Sequence, residues 1–169
     1  MNQIIKNKYV KNKKELGNLV EMYKKQGMKV VLTNGCFDII HAGHIEYLQK
    51  ARELGDVFIV GINTDSSVKK IKGEKRPINT LKDRMAVLGG LAAVDHLIAF
   101  NEDRPANLIL SAKPDIYVKG GDYKPERLRS TVIVEKLGGK VVIIPFKKGK
   151  STTEIINRIL EVYQPASRN

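Results

Sequence analysis

The chain has 169 residues, 42% of them apolar, three histidines, one cysteine and a formal net charge of +12. That length and apolar content suit one domain with its own core. No apolar run approaches the ~18 residues of a membrane span, and the basic start MNQIIKNKYVKNKKEL has no apolar stretch of the secretory kind. A single cysteine, Cys36, excludes an internal disulfide and a multi-cysteine metal site. The expectation is a soluble, cytoplasmic protein without membrane partners. The positive charge would suit nucleic acid or a phosphorylated small molecule. Its lysines, however, are scattered, with a loose cluster at 6–14, as on a solvated surface.

In chain order, Leu16, Leu19, Val20 and Tyr23 give residues 13–26 a helical stripe. MKVVLTNG then reads as a buried strand. Ile45, Leu48 and Ala51 mark a helix ending near Gly55, and DVFIVGIN is a second strand. In TLKDRMAVLGGLAAV, the positions Leu81, Met85, Leu88 and Ala92 share a helical face, although Gly89 and Gly90 weaken a helix there. DHLIAF is a strand, 104–112 a short helix and DIYVKGG a strand. A helix is expected over 125–137 despite the β-branched run Thr131–Val134. KVVIIPF is a fifth strand, and 153–163 a closing helix. Alternating strands and helices predict an α/β, Rossmann-like doubly wound sheet of about five parallel strands, with helices on both faces. The continuous apolar strands agree, since both of their faces are covered.

Ligands of such sheets bind beyond the carboxyl ends of the strands, at a switch in strand order. That rule nominates 34–44, 63–76, 101–104, 119–124 and 146–153, where glycines, cations and small hydroxyls converge. Close backbone approach, positive charge and helix N-termini together suit a polyphosphate. His41 and His44 lie in the first of these segments. A zinc helix spaces its histidines by four and adds a third ligand; here the spacing is three, so zinc is disfavoured and no metal site is assigned. Imidazoles beside a helix start can instead donate to phosphate oxygens as charge builds on them. The plain alternative is a pair of half-exposed polar residues at a helix end. Ser151 and Glu154 fit a capping box, itself compatible with an anion site. His96, in DHLIAF, reads as structural. Arg84 fits a site residue and a helix-surface residue equally.

The stretch Gly35, Cys36, Phe37, Asp38, Ile39, Ile40, His41, Ala42, Gly43, His44 matches G-x-F-D-x-x-H-x-G-H, and Ser151, Thr152, Thr153 form an S-T-T box. Both resemble the nucleotidyltransferase superfamily. The resemblance implies transfer of a nucleotidyl group from a nucleoside triphosphate to a phosphorylated acceptor, with release of pyrophosphate. The stretches TNGCFDIIHAGH, VGINTDSSVKKIKGEKRPIN, RMAVLGGLAAVDHLIAF, PDIYVKGGDY and GKSTTEII are similar to the heptose 1-phosphate adenylyltransferase domain of ADP-heptose synthases, from about Lys29 to Ile159. A single domain is expected, with its core at about 29–159 and an N-terminal helical extension over 1–28. Many relatives of that kind carry a fused sugar kinase; this chain resembles the free-standing form. The resemblance further implies ATP as donor, Mg2+ arriving with it, D-glycero-β-D-manno-heptose 1-phosphate as acceptor, a role in lipopolysaccharide or other surface glycans, and a homodimer.

On this reading His41, His44 and Lys72 are catalytic. Asn34, Gly35, Cys36, Phe37, Gly43, Lys119, Gly120, Asp122, Ser151, Thr152 and Thr153 join the two histidines in binding nucleotide. Asp38, Lys72 and Arg76 bind the acceptor, with Asp38 also able to orient a histidine or the backbone turn. The chain departs from the family at FKKGKSTT, so Lys147 and Lys148 receive no role, and Cys36 fills a variable position. A sugar 1-phosphate is already an anion, so its attack on a phosphorus needs no general base, and none is evident. The nearest rival is a cytidylyltransferase acting on glycerol 3-phosphate or ethanolamine phosphate; KGGDY and RMAVLGGLAAVDH favour the heptose reading. A nucleic-acid-binding module would need an aromatic stacking platform, which is missing. A degenerate member of the fold is disfavoured by the intact H-x-G-H.

Overall fold

The computed structural model describes residues 7–121, 129–145 and 149–163. Strand β1 is Tyr9–Val10 and helix α1 Lys13–Lys25, its start capped by Asn12, whose side chain accepts from the Glu15 N–H. There follow β2 (Val30–Gly35), α2 (Ala42–Arg52), β3 (Val57–Asn63), α3 (Asp65–Lys72) and α4 (Leu81–Gly89). The chain continues through β4 (His96–Phe100), α5 (Ala106–Ala112), β5 (Ile116–Gly120), α6 (Arg129–Lys136), β6 (Lys140–Ile144) and α7 (Thr152–Tyr163).

The strands form one six-stranded sheet in the order β1-β4-β3-β2-β5-β6, every neighbouring pair parallel. All seven residues of β3 are buried, and the strand period of two sends their side chains to two separate cores. Val57 and Ile59 join Val30, Leu32 and Ile98 under α1, α5 and α6. Phe58, Val60 and Ile62 join Val31, Leu97 and Val118 under α2 and α4. At Gly61 a Cβ would lie 2.4 Å from Leu108 Cδ2, so a side chain there would force Leu108 of α5 to shift. Helix α1 precedes the stretch of closest family resemblance, yet buries Leu16 and Val20 completely or nearly so in the first core.

The sheet differs from expectation in three places. It has a sixth strand, β1, paired to β4 at Tyr9–Leu97 and Val10–Ile98; two residues are too few to show alternation. Residues 65–72, expected only as a rim segment, form α3, started by Thr64, whose hydroxyl accepts from the Ser67 N–H. Helix α4 ends at Gly89, with the Gly90 N–H on the Ala86 and Val87 carbonyls, so Ala92 lies beyond it. The glycine pair ends the helix as its conformational cost dictates. The helix expected over 125–137 is described from Arg129 onward; residues 125–128 lie outside the described residues.

From β2 the chain builds outward through β3 and β4, then crosses back to β5 and β6 on the other side. The switch in strand order therefore falls between β2 and β5, which pair from Val31–Ile116 to Thr33–Val118. The carboxyl ends of these two strands open into the main cavity.

Candidate active site

That cavity has a volume of about 890 Å³. Its wall gathers Asn34, Gly35, Cys36, Phe37, Asp38, His41, Gly43, His44, Lys72, Arg76, Lys119, Gly120, Ser151, Thr152 and Thr153 from two strands, three helices and the loops beside them. These are the sequence-nominated site residues, except Asp122, which lies outside the described residues together with Lys147 and Lys148. Of the lysines at 69, 70, 72 and 75, Lys72 alone is on the wall. It is the last residue of α3.

His41 is the N-cap residue of α2 but makes no side-chain capping bond. The His44 N–H already donates to the His41 carbonyl at 2.8 Å, so the N–H groups of Ala42 and Gly43 are those left for another acceptor, and an anion suits them. The rings of His41 and His44 lie face to face, centroids 3.9 Å apart and planes 32° apart, with Phe37 5.6 Å from the His44 ring. Gly43 permits this, since a Cβ there would come within 3.1 Å of His41 Nδ1 and 3.2 Å of Lys150 Cβ. Burial pushes the His44 imidazole down to about 4, and His41 beside it pushes the same way. Burial also lowers His41, with Lys150 adding to the effect and the Glu154 carboxylate opposing it. Both rings are therefore neutral near pH 7. Their Nδ1 atoms are buried without a hydrogen-bond partner among the described residues. Each such atom costs about 1–3 kcal/mol, and proteins keep them mainly where a function uses them.

The loop carrying the signature is held from below. Phe37 sits at φ 48°, in the left-handed region that a bulky residue rarely adopts. Asp38 is buried, and its carboxylate accepts from Arg76 Nε at 2.5 Å and from the N–H groups of Ile78 and Asn79 at 2.9 Å. Burial alone would raise its pKa; the Asn79 and Ile78 N–H groups and the Arg76 guanidinium outweigh it and hold the carboxyl below its ordinary value. Of the two orienting roles considered for Asp38, the geometry matches the backbone turn: it ties the 76–79 segment to the signature loop. Arg76 meets that carboxylate with Nε.

Of the two readings open for Arg84, the structure rules out the helix surface. Arg84 is 1% exposed, and its guanidinium donates to the Asn79, Cys36 and Asn63 carbonyls and to Asp65 Oδ1. Lys119, at the end of β5, donates to Asn34 Oδ1 at 2.7 Å and to the Asn34 carbonyl at 3.3 Å, spanning the switch point. Tyr117 donates to the same Asn34 Oδ1. Burial draws the Lys119 ammonium down to about 8. Burial pushes the Cys36 thiol up, against the pull of the Lys72, Arg84 and Arg76 cations. On the far side of the cavity, the Ser151 hydroxyl accepts from the Glu154 N–H at 3.1 Å, the capping bond expected, and Thr152 Oγ1 donates to the Ile39 carbonyl at 3.4 Å. The starts of α2 and α7 therefore meet across the cavity wall.

Sequence reasoning did not single out Tyr47, Asn63, Arg104, Arg129, Ser130 or Lys150, all on the wall. Asn63, Arg104 and Lys150 lie in strand-end segments that the topological rule had flagged. Arg129 and Ser130 come with α6 and carry no motif. Among the described residues, no three His, Cys, Asp or Glu side chains converge as a metal cage, and no helix is long and apolar enough to cross a membrane.

The cytidylyltransferase-like family matches residues 32–158, which run from β2 into α7 and include every described signature residue. The chain belongs to this family of nucleotidyltransferases. It is 53% identical over 148 residues to the bifunctional protein HldE of Actinobacillus succinogenes, covering 88% of this chain and 31% of that one. To HldE of Pelobacter propionicus it is 49% identical over 154 residues, 91% of this chain and 32% of the relative. The chain thus spans about a third of the length of these relatives. A crystal structure of a lipopolysaccharide core biosynthesis protein from Thermoplasma volcanium superposes with a TM-score of 0.61 at 34% identity, over 73% of this chain and all of that one. A pantoate-beta-alanine ligase from Francisella tularensis, 19% identical with a TM-score of 0.59 over 95% of this chain and 81% of its own, shares the fold.

Proposed function

We propose that this chain transfers the adenylyl group of ATP to the phosphate of D-glycero-β-D-manno-heptose 1-phosphate, giving ADP-heptose and pyrophosphate. The observation that carries the reading is the stacked, neutral His41–His44 pair at the mouth of α2. Its ring nitrogens are short of partners, and Lys72, Lys119 and Lys150 line the same cavity. Half-identity to HldE proteins, the likeness to a lipopolysaccharide core biosynthesis protein, and the resemblance to ADP-heptose synthases support the choice of acceptor.

In this reaction an oxygen of the sugar phosphate attacks the α-phosphorus of ATP. The bond from that phosphorus to the bridging β-oxygen breaks, and pyrophosphate leaves with the electron pair. The attacking oxygen is already anionic, so the protein's task is placement and charge stabilisation. On this proposal His41, His44 and the free N–H groups of α2 hold the triphosphate and meet the charge that develops on it. Neutral rings do this as hydrogen-bond donors and not as cations. Lys72 draws the two anions together from the open side. Lys119 gains an anionic neighbour when phosphate binds and returns to full charge. Ser151, Thr152 and Thr153 close the site from the start of α7. Arg76 is engaged by Asp38, so its part is to steady the turn that faces the acceptor. Asp38, the buried carboxylate of the cavity, has its oxygens occupied. No carboxylate cage forms among the described residues, so magnesium would be held by the phosphates and water, where it would offset their negative charge. A homodimer belongs to the same proposal, and light scattering tests it.

The decisive assay is pyrophosphate release from ATP and CTP, each with heptose 1-phosphate, glycerol 3-phosphate and ethanolamine phosphate. Turnover is expected with ATP and the sugar 1-phosphate. Turnover confined to CTP with glycerol 3-phosphate would replace the substrate assignment.

A further inference from the structure

Arg84 is the largest fully buried side chain of the described protein, yet it does not line the cavity. Taking a guanidinium out of water costs several kcal/mol, and an apolar residue of similar volume often fills such a space with greater stability. The placement therefore calls for a reason beyond stability. Its four hydrogen bonds go to different parts of the rim. Nη1 donates to the Cys36 carbonyl in the signature loop, Nη2 to the Asn63 carbonyl at the end of β3 at 2.8 Å, and Nε to the Asn79 carbonyl in the turn before α4 at 3.1 Å. The fourth, to Asp65 Oδ1 at 2.8 Å, reaches a carboxylate whose side chain is 44% exposed. Asn79 in turn donates to Asp38 through both its backbone N–H and its side chain. Arg84 thus grips the loop directly before the left-handed Phe37 and, through Asn79, directly after it.

We infer that Arg84 is a positioning residue: it fixes the backbone at Cys36 against the end of β3 and the 76–79 turn, and so sets the place of His41 and His44 against the bound triphosphate. The inference rests on the proposed reaction for its kinetic consequence, but its geometric half does not. Misplacement of a reacting group by about 1 Å costs on the order of 10²-fold in rate. The planar fork of arginine serves three carbonyls at fixed angles, which the single ammonium of lysine does not.

Cys36 supplies the test. It is the only cysteine of the chain, and its own carbonyl is the one Arg84 holds, so its labelling rate by a thiol reagent, corrected for thiolate fraction from a pH series in each variant, reports the state of the loop. Arg84→Lys and Arg84→Met are compared with Leu16→Ala, a core change under α1 in the opposite core, all well below their melting temperatures. The Arg84 variants are expected to label at least about 10-fold faster than the parent, and kcat/KM with ATP to fall about 10²-fold. Leu16→Ala, though less stable, is expected to label and turn over at the parent's rate. Should neither Arg84 variant fold, Asp65→Asn loosens the same grip from its half-exposed side, with labelling about threefold faster. Parental labelling and turnover in the Arg84 variants overturn the inference, as does equally fast labelling of Leu16→Ala; without folded Arg84 variants, an unchanged Asp65→Asn overturns it. If the parent shows no adenylyl transfer at all, the substrate reading fails alone, and the labelling arm still decides the role of Arg84.

Discussion

The three histidines occupy opposite ends of the sheet, and the two ends treat them differently. His96 opens β4 at the amino edge; its Nε2 lies 2.8 Å from the Tyr23 hydroxyl, and the Lys8 backbone serves the ring as well. His41 and His44 lie past the carboxyl end of β2, stacked on each other, each with an Nδ1 lacking a partner among the described residues. Burial lowers the pKa of all three. Burial alone therefore does not separate a site from a brace. The difference lies in the hydrogen-bonding ledger: the amino-edge ring is satisfied by the fold, whereas the carboxyl-edge pair is left with capacity to spare.

The sharpest way to break that comparison is to remove the unsatisfied pair's inner ring. His44→Ala is expected to slow pyrophosphate release by about 10²–10³-fold, the usual loss for one preorganised donor. The stability change should be confined to the ring packing lost against His41 and Phe37, because the buried nitrogen has no partner to lose among the described residues. A slowing of under tenfold would remove the pair from the mechanism. Next in size is Lys119→Met, which keeps the stem and deletes the ammonium while leaving Asn34 Oδ1 its bond from Tyr117. A charge-assisted contact to phosphate is lost, and kcat/KM should fall about 10- to 100-fold, as steady-state titration of both substrates would reveal.

How far the sequence anticipates this arrangement depends on what kind of order encodes it. The signature residues are legible because one strand, one turn and one helix start fix their spacing in the chain. The strand-end rule finds Lys119 and the S-T-T box for a similar reason. Arg84 is a different matter. Position 84 falls three residues after Leu81 and four before Leu88, on the apolar face of α4, and that spacing was the available signal for its burial. The charge obscured it, because the acceptors that satisfy Arg84 lie on segments 48 and 21 residues away and are brought there only by folding. Arg129 and Ser130 reach the cavity wall in the same way. Helix α3 escaped notice because its residues are mostly polar, with Val68 its one buried large side chain.

A change of pH sharpens the comparison more gently. A histidine whose folded pKa lies below its unfolded value of 6.5 binds fewer protons folded than unfolded in the interval between the two. Its contribution to stability is complete above 6.5 and is lost as pH falls toward the folded value, about 4 for His44. Denaturant midpoints of the parent should thus decline from about pH 7 to about pH 5, and His44→Gln should decline less steeply. Parallel slopes would mean that the ring is not held neutral by its surroundings.

The smallest effect belongs to the satisfied ring, and it tests the other half of the comparison. Tyr23→Phe removes one hydroxyl from α1 and leaves His96 Nε2 without its partner. The aromatic body stays, so packing against the first core is unchanged, and the loss should be about 1 kcal/mol, read as a shift in denaturant midpoint. Turnover and the KM for ATP should match the parent, since the sheet separates this corner from the cavity by the full length of β4. If Tyr23→Phe instead slowed pyrophosphate release as much as Lys119→Met does, the two ends of the sheet would be coupled. The distinction between a spent and an unspent imidazole would then fail as a guide to which ring does chemistry.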